Sequence, residues 1–184
     1  MRSMRSIGSV VPLSLLLVLV LVLAMPPGDA AAASAQRADL FDFWLGDWSV
    51  SWRNADGSVG KAHNHVARIL DGQVIEERFD EDAADPAPLL RGHSMSVLEK
   101  STGIWRQAWA DNQHGFFALT ASVDGDRRIF ATDFSIVGAQ VKGQRMVFHD
   151  IRPDAFTWDW ESTADGGKTW TRQWQLDYRL DGRR

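Results

Sequence analysis

The sequence contains no cysteine. That excludes a disulfide scaffold, thiolate metal sites, a Cys nucleophile and a lipid-modified N-terminal Cys. Charge of one sign is also lacking: 20 Lys and Arg against 24 Asp and Glu give a net charge of −4, with no basic stripe to attract a phosphate backbone. No nucleic-acid partner is expected. The longest apolar run, Leu13 to Met25, falls short of the ~20 residues that a membrane-spanning helix needs. No helix longer than two turns is suggested after it, and no repeat of the kind that builds solenoids or propellers is present.

What the N-terminus does carry is an export signal. Arg2 and Arg5 precede the apolar run, and Pro26, Pro27 and an Ala-rich stretch follow it. Ala33-Ser34-Ala35 fits the small-x-small rule for cleavage, which assigns residues 1–35 to a cleaved signal peptide; the rival reading is an uncleaved anchor. The two arginines are not adjacent, so a twin-arginine signal is not indicated. The expected location is secreted or periplasmic, with no membrane contact after cleavage. Residues 36–184 then form a single domain of about 150 residues, long enough to bury a core without disulfides.

Tryptophan is abundant: the chain has nine. From residue 47 onward, short apolar/polar alternations are broken by turn signals at intervals near ten residues, which predicts an all-β, up-and-down antiparallel barrel. Ten strands are expected, at 47–54, 59–70, 73–80, 91–99, 104–111, 115–122, 127–137, 143–151, 155–162 and 168–179, after a short N-terminal helical turn at Asp39–Gly46. The stretch Glu81–Leu90, with Pro86 and Pro88, reads as an exposed loop.

Hairpin parity sorts the faces. A turn at Asp71-Gly72 sets His65 opposite Arg78 and His63 opposite Asp80 on a solvated face, where the His63-x-His65 pair is a poor metal site beside Arg78. The opposite face carries Val66, Ile75 and Phe79, with Arg68 and Glu77 as an expected internal ion pair. A loop over Lys100–Gly103 sets Trp109 opposite Ser94, Gln107 opposite Ser96 and Trp105 beside Leu98, large residues against small ones as a barrel lumen requires. A three-residue loop at Asp165–Gly167 places Trp158, Trp160, Trp170 and Trp174 on one side. Arg172 then stands opposite Trp160, stacked among indoles with its guanidinium toward Glu77 or an acidic ligand.

The segment Phe41-Asp42-Phe43-Trp44-Leu45-Gly46-Asp47-Trp48 resembles the opening of the calycin superfamily of lipocalin-like and nitrobindin-like barrels. Within it, Phe-x-Phe-x-x-Gly-x-Trp, the mid-chain Trp105-Arg106-Gln107-Ala108-Trp109 and the hairpin Asp165–Trp170 resemble a group of exported bacterial barrels of unassigned function. The resemblance covers essentially all of residues 36–184. It implies that Trp48 plugs the closed end of the barrel under a basic residue from the last strand, for which Arg172 is the candidate. The nitrobindin branch implies one route to a cofactor, haem held by His149; a histidine on a strand of ambiguous parity is a weak ligand, and no cofactor or metal is expected. The Asp165–Trp170 segment also resembles the Asp-box of sialidases, but a single copy is read as a hairpin staple with no glycosidase inference.

The expected function is binding of a small apolar or amphipathic molecule in the lumen. Its aromatic wall is Trp105, Trp109, Trp158, Trp160 and Trp174, and its polar contacts are Gln107, Ser94, Ser96, Arg172, Arg68 and Glu77. The alternatives are a small-molecule isomerase or hydrolase, with Glu77 or Asp111 as general base and Arg172 on the anion, and a structural or interaction protein with a filled core. A Ser-His-Asp site is excluded because His93 and Ser94 are adjacent strand residues on opposite faces. No oligomeric state is implied.

Overall fold

The computed structural model describes residues 36–82 and 89–182. The expected signal peptide, Pro86 and Pro88 lie outside the described residues. Eleven strands follow a single 3-10 turn, Asp42–Trp44: β1 Gly46–Arg53, β2 Val59–Ile69, β3 Val74–Glu81, β4 Arg91–Glu99, β5 Ile104–Asp111, β6 Phe116–Asp124, β7 Arg127–Ala131, β8 Ser135–Val137, β9 Gln140–Arg152, β10 Ala155–Thr163 and β11 Thr171–Leu180. Each pairs antiparallel with its neighbours. β7 pairs with β9, β9 with β10, and β11 returns to β1, so ten strands close into an up-and-down barrel without a free edge and β8 is appended to β9. Among the described residues no helix is long and apolar enough to cross a membrane.

The registers expected from the turns at Asp71-Gly72 and Lys100–Gly103 are observed. His65 faces Arg78 and His63 faces Asp80; Ser94 faces Trp109, Ser96 faces Gln107 and Leu98 faces Trp105. His63 and His65 point outward and are exposed, near Asp82 and Asp47 respectively.

One expected strand, 127–137, is two. The chain leaves β7 after Ala131, and β8 folds back on the start of β9 through Gly138-Ala139, pairing Val137 with Gln140. Gly138 sits at φ 62°, the left-handed geometry that a two-residue hairpin turn requires at its first position. The apolar alternation runs through the break, which is why the pattern reads as continuous.

The second departure is in the last hairpin. Trp160 pairs with Trp174 and not with Arg172: the turn sets the pairs next to it one residue off the expected register, and a further shift of one residue falls between Trp160 and Glu161. Such a bulge reverses the facing of everything beyond it. Trp158, Trp160 and Trp174 therefore face the interior, while Trp170 lies against Phe134, with the Arg145 guanidinium 4.1 Å from its ring centre. The turn itself is a staple, as expected: the Asp165 carboxylate accepts from the Thr163 hydroxyl at 2.7 Å, the Thr169 hydroxyl at 2.7 Å and the Thr169 amide at 3.0 Å.

The end of the barrel beside the 3-10 turn is filled. Phe41, Trp44, Trp48 and Trp105 are essentially inaccessible, at 0–1 % exposure. Phe41 stacks on Phe130 at 4.5 Å and meets the edge of Trp105 at 5.6 Å. Fully burying an indole removes about 200 Å² from water, worth up to about 5 kcal/mol, so these residues supply a large share of the cohesion that disulfides would otherwise provide. Gly46 explains the Gly-x-Trp spacing: its φ is 143°, and a Cβ there would lie 2.6 Å from Leu180 Cδ1. Trp48 occupies the plug position and donates from Nε1 to the Trp44 carbonyl at 2.8 Å. Arg172 does not cover it, since Trp48 pairs with Leu180 at the other end of β11.

Candidate functional site

The opposite half of the barrel is not filled. Between the middle of the strands and the end remote from the 3-10 turn lies a cavity of about 170 Å³. Its walls are Trp109 of β5, Phe117 of β6, Trp158 and Trp160 of β10, and Trp174 of β11, all partly exposed, with Phe79, Met146, Leu176 and Tyr178 buried behind them. Leu90 and Asp111 stand at the mouth.

Glycines on neighbouring strands seat Trp109 of the wall and Trp52, which packs behind Trp174. A Cβ on Gly92 would lie 1.9 Å from Trp109 Cζ2, and one on Gly60 would lie 2.1 Å from Trp52 Cε2. The ring planes then set a corner. Trp158 and Trp160 lie within 8° of parallel at 6.2 Å, Trp174 meets Trp158 at 89° and 6.1 Å, and Phe117 turns its edge to Trp160 at 5.1 Å.

Glu77 is the polar group of the inner wall. It is 5 % exposed and has no cationic partner among the described residues. Asn64 Nδ2 donates to Glu77 Oε1 at 2.8 Å and the Ser94 hydroxyl donates to Oε2 at 2.7 Å. Gln107 Nε2 extends the network, donating to Ser94 Oγ at 3.2 Å and Ser96 Oγ at 3.0 Å, and Asn64 Nδ2 reaches the Tyr178 oxygen at 3.3 Å. Burial in this apolar wall pushes the Glu77 carboxyl up to about 7, against the downward pull of the Ser94 and Asn64 donors. Burial, joined by the nearby Glu77 charge, also holds the Tyr178 hydroxyl well above its ordinary range.

Two buried oxygens in this network, Asn64 Oδ1 and Gln107 Oε1, have no protein partner. Turning the Asn64 amide over would let a protonated Glu77 and the Tyr178 hydroxyl both donate to Asn64 Oδ1 across the same distances. A protonated Glu77 is thus met by a turned Asn64 amide, whose NH2 then takes the buried, unpartnered place of Oδ1.

Asp111 is a different kind of carboxylate. Desolvation is the largest influence on it and acts upward, but donors from Trp109 Nε1 at 2.9 Å, Gly115 N at 2.8 Å and Gln113 N at 2.9 Å together outweigh it and bring the group below its ordinary range. Asp111 is therefore an ionised loop anchor with its acceptor sites largely used.

Of the residues expected to form the site, the structure brings Trp109, Trp158, Trp160, Trp174 and Glu77 to one cavity. Ser94, Ser96 and Gln107 form the layer behind Glu77. Trp105 belongs to the filled end, with Nε1 donating to the Arg37 carbonyl at 3.0 Å.

Arg68 does not pair with Glu77. It points to the filled end, where it donates to the Gly72 carbonyl at 2.7 Å and the Ala38 carbonyl at 3.0 Å and pairs with Asp42. Arg172 is on the outer face, with its side chain 54 % exposed and 3.9 Å from Asp159. His149 is likewise outside, alternating with the core residue Phe148; its Nδ1 faces Asp150 at 2.8 Å and its Nε2 faces Asp159 at 3.2 Å. It is not directed at the cavity. Among the described residues no group of three or more His, Asp or Glu is arranged to hold a metal ion.

Sequence reasoning missed Asn64, Tyr178 and Phe117 as parts of the site. Asn64 carried a signal, since it holds an inward position of β2 between Ala62 and Val66, and a polar residue at such a position needs a partner inside.

No family model matches the chain, and no curated protein matches it in sequence. Among solved structures, an S-type phycobiliprotein lyase from Guillardia theta is similar in outline, with a TM-score of 0.47 and 12 % identity over 86 % of this chain and all of that chain.

Proposed function

We propose that this protein is exported and binds a small apolar or amphipathic molecule in the open half of its barrel. The observation that carries the reading is the contrast within one lumen. One end is packed solid, while the other keeps a cavity of about 170 Å³ with partly exposed aromatic walls and a buried carboxyl on its inner wall. An apolar cavity of about 150 Å³ holds a benzene ring, so the occupant is of single-ring or short-chain size. Residues 1–35 would deliver the chain to the periplasm or beyond.

The test has two parts. Native mass spectrometry of protein purified from its own host reports a retained small molecule. Tryptophan fluorescence against a panel of single-ring and short-chain alcohols, amines and acids reports occupancy through Trp109, Trp158, Trp160 and Trp174. Absence of a retained molecule together with an unresponsive spectrum across the panel would defeat the proposal.

A second reading, acid–base catalysis in the same cavity, is favoured by one observation: Glu77 is held near neutrality and is free of an arginine. A general base works best with such a value. Asp111 and Arg172 drop out of that scheme, the first because it is ionised and engaged, the second because it is outside. Turnover of a bound molecule that is lost in Glu77→Gln while the molecule still binds would establish catalysis.

A further inference from the structure

Building on the reading that the lumen binds a ligand, we infer that the ligand is a small organic cation, its ammonium group seated among the faces of the cavity tryptophans with Glu77 as counter-charge.

The charges of the lining point this way. Among the described residues its ionisable carboxyls are Glu77 on the inner wall and Asp111 at the mouth, and no Lys, Arg or His lines the cavity. An anionic head group would meet only like charge and indole rings whose faces are electron-rich. A cation meets the reverse. Parallel Trp158 and Trp160, with Trp174 at a right angle to Trp158, make the corner of an aromatic cage, the arrangement that attracts an ammonium through the ring quadrupoles.

The carboxyl itself is poised for a partner. Each Glu77 oxygen accepts a single donor, from Asn64 or Ser94, and retains a free acceptor site. A purely apolar ligand would leave this acid in the wall of its own site without a role, whereas a cation compensates a charge that burial otherwise penalises.

The test uses protein purified from its own host, with choline, its uncharged carbon isostere 3,3-dimethylbutan-1-ol, and benzoate as probes, read by calorimetry and tryptophan fluorescence. At about pH 8 choline is expected to bind about tenfold more tightly than the isostere, and benzoate more weakly than either. Glu77→Gln should bring choline down to the affinity of the isostere.

Should that variant not fold, the wild-type protein supplies the same answer. The preference for choline should shrink as pH falls from about 8 to about 5, because Glu77 takes up a proton across that window. The groups facing Glu77 leave the signal to it: β2 and β4 present uncharged Asn64 and Ser94, Tyr178 of β11 stays neutral, and Asp111 of β5 stays ionised. Equal binding of choline and the isostere at the higher pH, tighter binding of benzoate, or a choline preference that ignores both pH and the Glu77 substitution would overturn the inference while leaving lumenal binding intact. Failure of all three probes and of the wider panel would remove both.

Discussion

Glu77 offers a quantitative handle on the site that does not depend on knowing the ligand. Its carboxyl is buried among apolar walls and held up to about 7 in the folded protein, against an ordinary value of 4.5. The folded state therefore binds the proton more tightly than the unfolded chain. The stabilising contribution is fully present below about pH 4.5 and is lost as pH rises through about 7. The gap corresponds to about 3 kcal/mol, at about 1.4 kcal/mol per tenfold change in proton affinity. Glu77→Gln keeps the shape and removes the titration. Its amide oxygen can accept from Ser94, and its NH2 can donate to Asn64 Oδ1 once the Asn64 amide, which now presents Nδ2 to this position, is turned over. The variant should match the wild type near pH 5 and exceed it by up to about 3 kcal/mol near pH 8. Urea unfolding of both proteins across that range measures the difference. Every other ionisable group is common to both proteins, so its contribution cancels. A stability difference that stays flat between those pH values would refute the claim that Glu77 is an uncompensated buried acid.

Other outcomes rest on the same geometry. Gly92→Ala puts a methyl into the seat of the Trp109 indole, 1.9 Å from Cζ2; overpacking of this kind costs about 1–3 kcal/mol, and a red-shifted tryptophan emission should accompany the lower urea midpoint. Leu176→Phe adds bulk to the cavity wall and should abolish ligand-induced fluorescence changes while altering stability by less than about 1.5 kcal/mol. Asp165→Ala removes the acceptor that ties Thr163 to Thr169, so Tm should fall while the β-sheet circular dichroism is retained. Arg172→Ala, at an exposed outer site, should change neither ligand binding nor stability beyond about 0.5 kcal/mol; a loss of binding would show that the last hairpin is registered differently.

The parts of this fold that were legible are those governed by short turns. Asp71-Gly72 and Lys100–Gly103 set their registers by loop length, and period-two alternation then assigns every side chain between them to a face. That is why Glu77, Ser94, Ser96, Gln107 and Trp109 could be placed inside from residue types alone. The errors share a cause as well. A bulge at Trp160/Glu161 and a hairpin folded onto β9 leave no mark in the alternation, and each changes the parity of the residues beyond it. Arg172 and Trp170 were lost to the first. The Arg68–Glu77 pair failed for another reason: sharing a face does not make two residues neighbours along the barrel axis, and Arg68 found carbonyls and Asp42 at the filled end.

The division of labour among the tryptophans bears on whether the interior is full. At the closed end the indole N–H groups of Trp48 and Trp105 are tied to backbone carbonyls and the rings are inaccessible. A buried indole gains from an acceptor, and with one the ring is part of the scaffold; Trp44 beside them is held by packing alone, its Nε1 having no protein partner. The indoles of Trp158, Trp160 and Trp174 remain partly exposed and border the cavity instead. Leaving that much aromatic surface in contact with water forgoes burial that a Phe or Leu at a facing position would recover. The closed half carries the stability, so the open half can hold unfavourable features together: unfilled volume, wetted indoles and an acid without a cation. Each of these costs stability alone, and a bound molecule of the right charge relieves all of them at once.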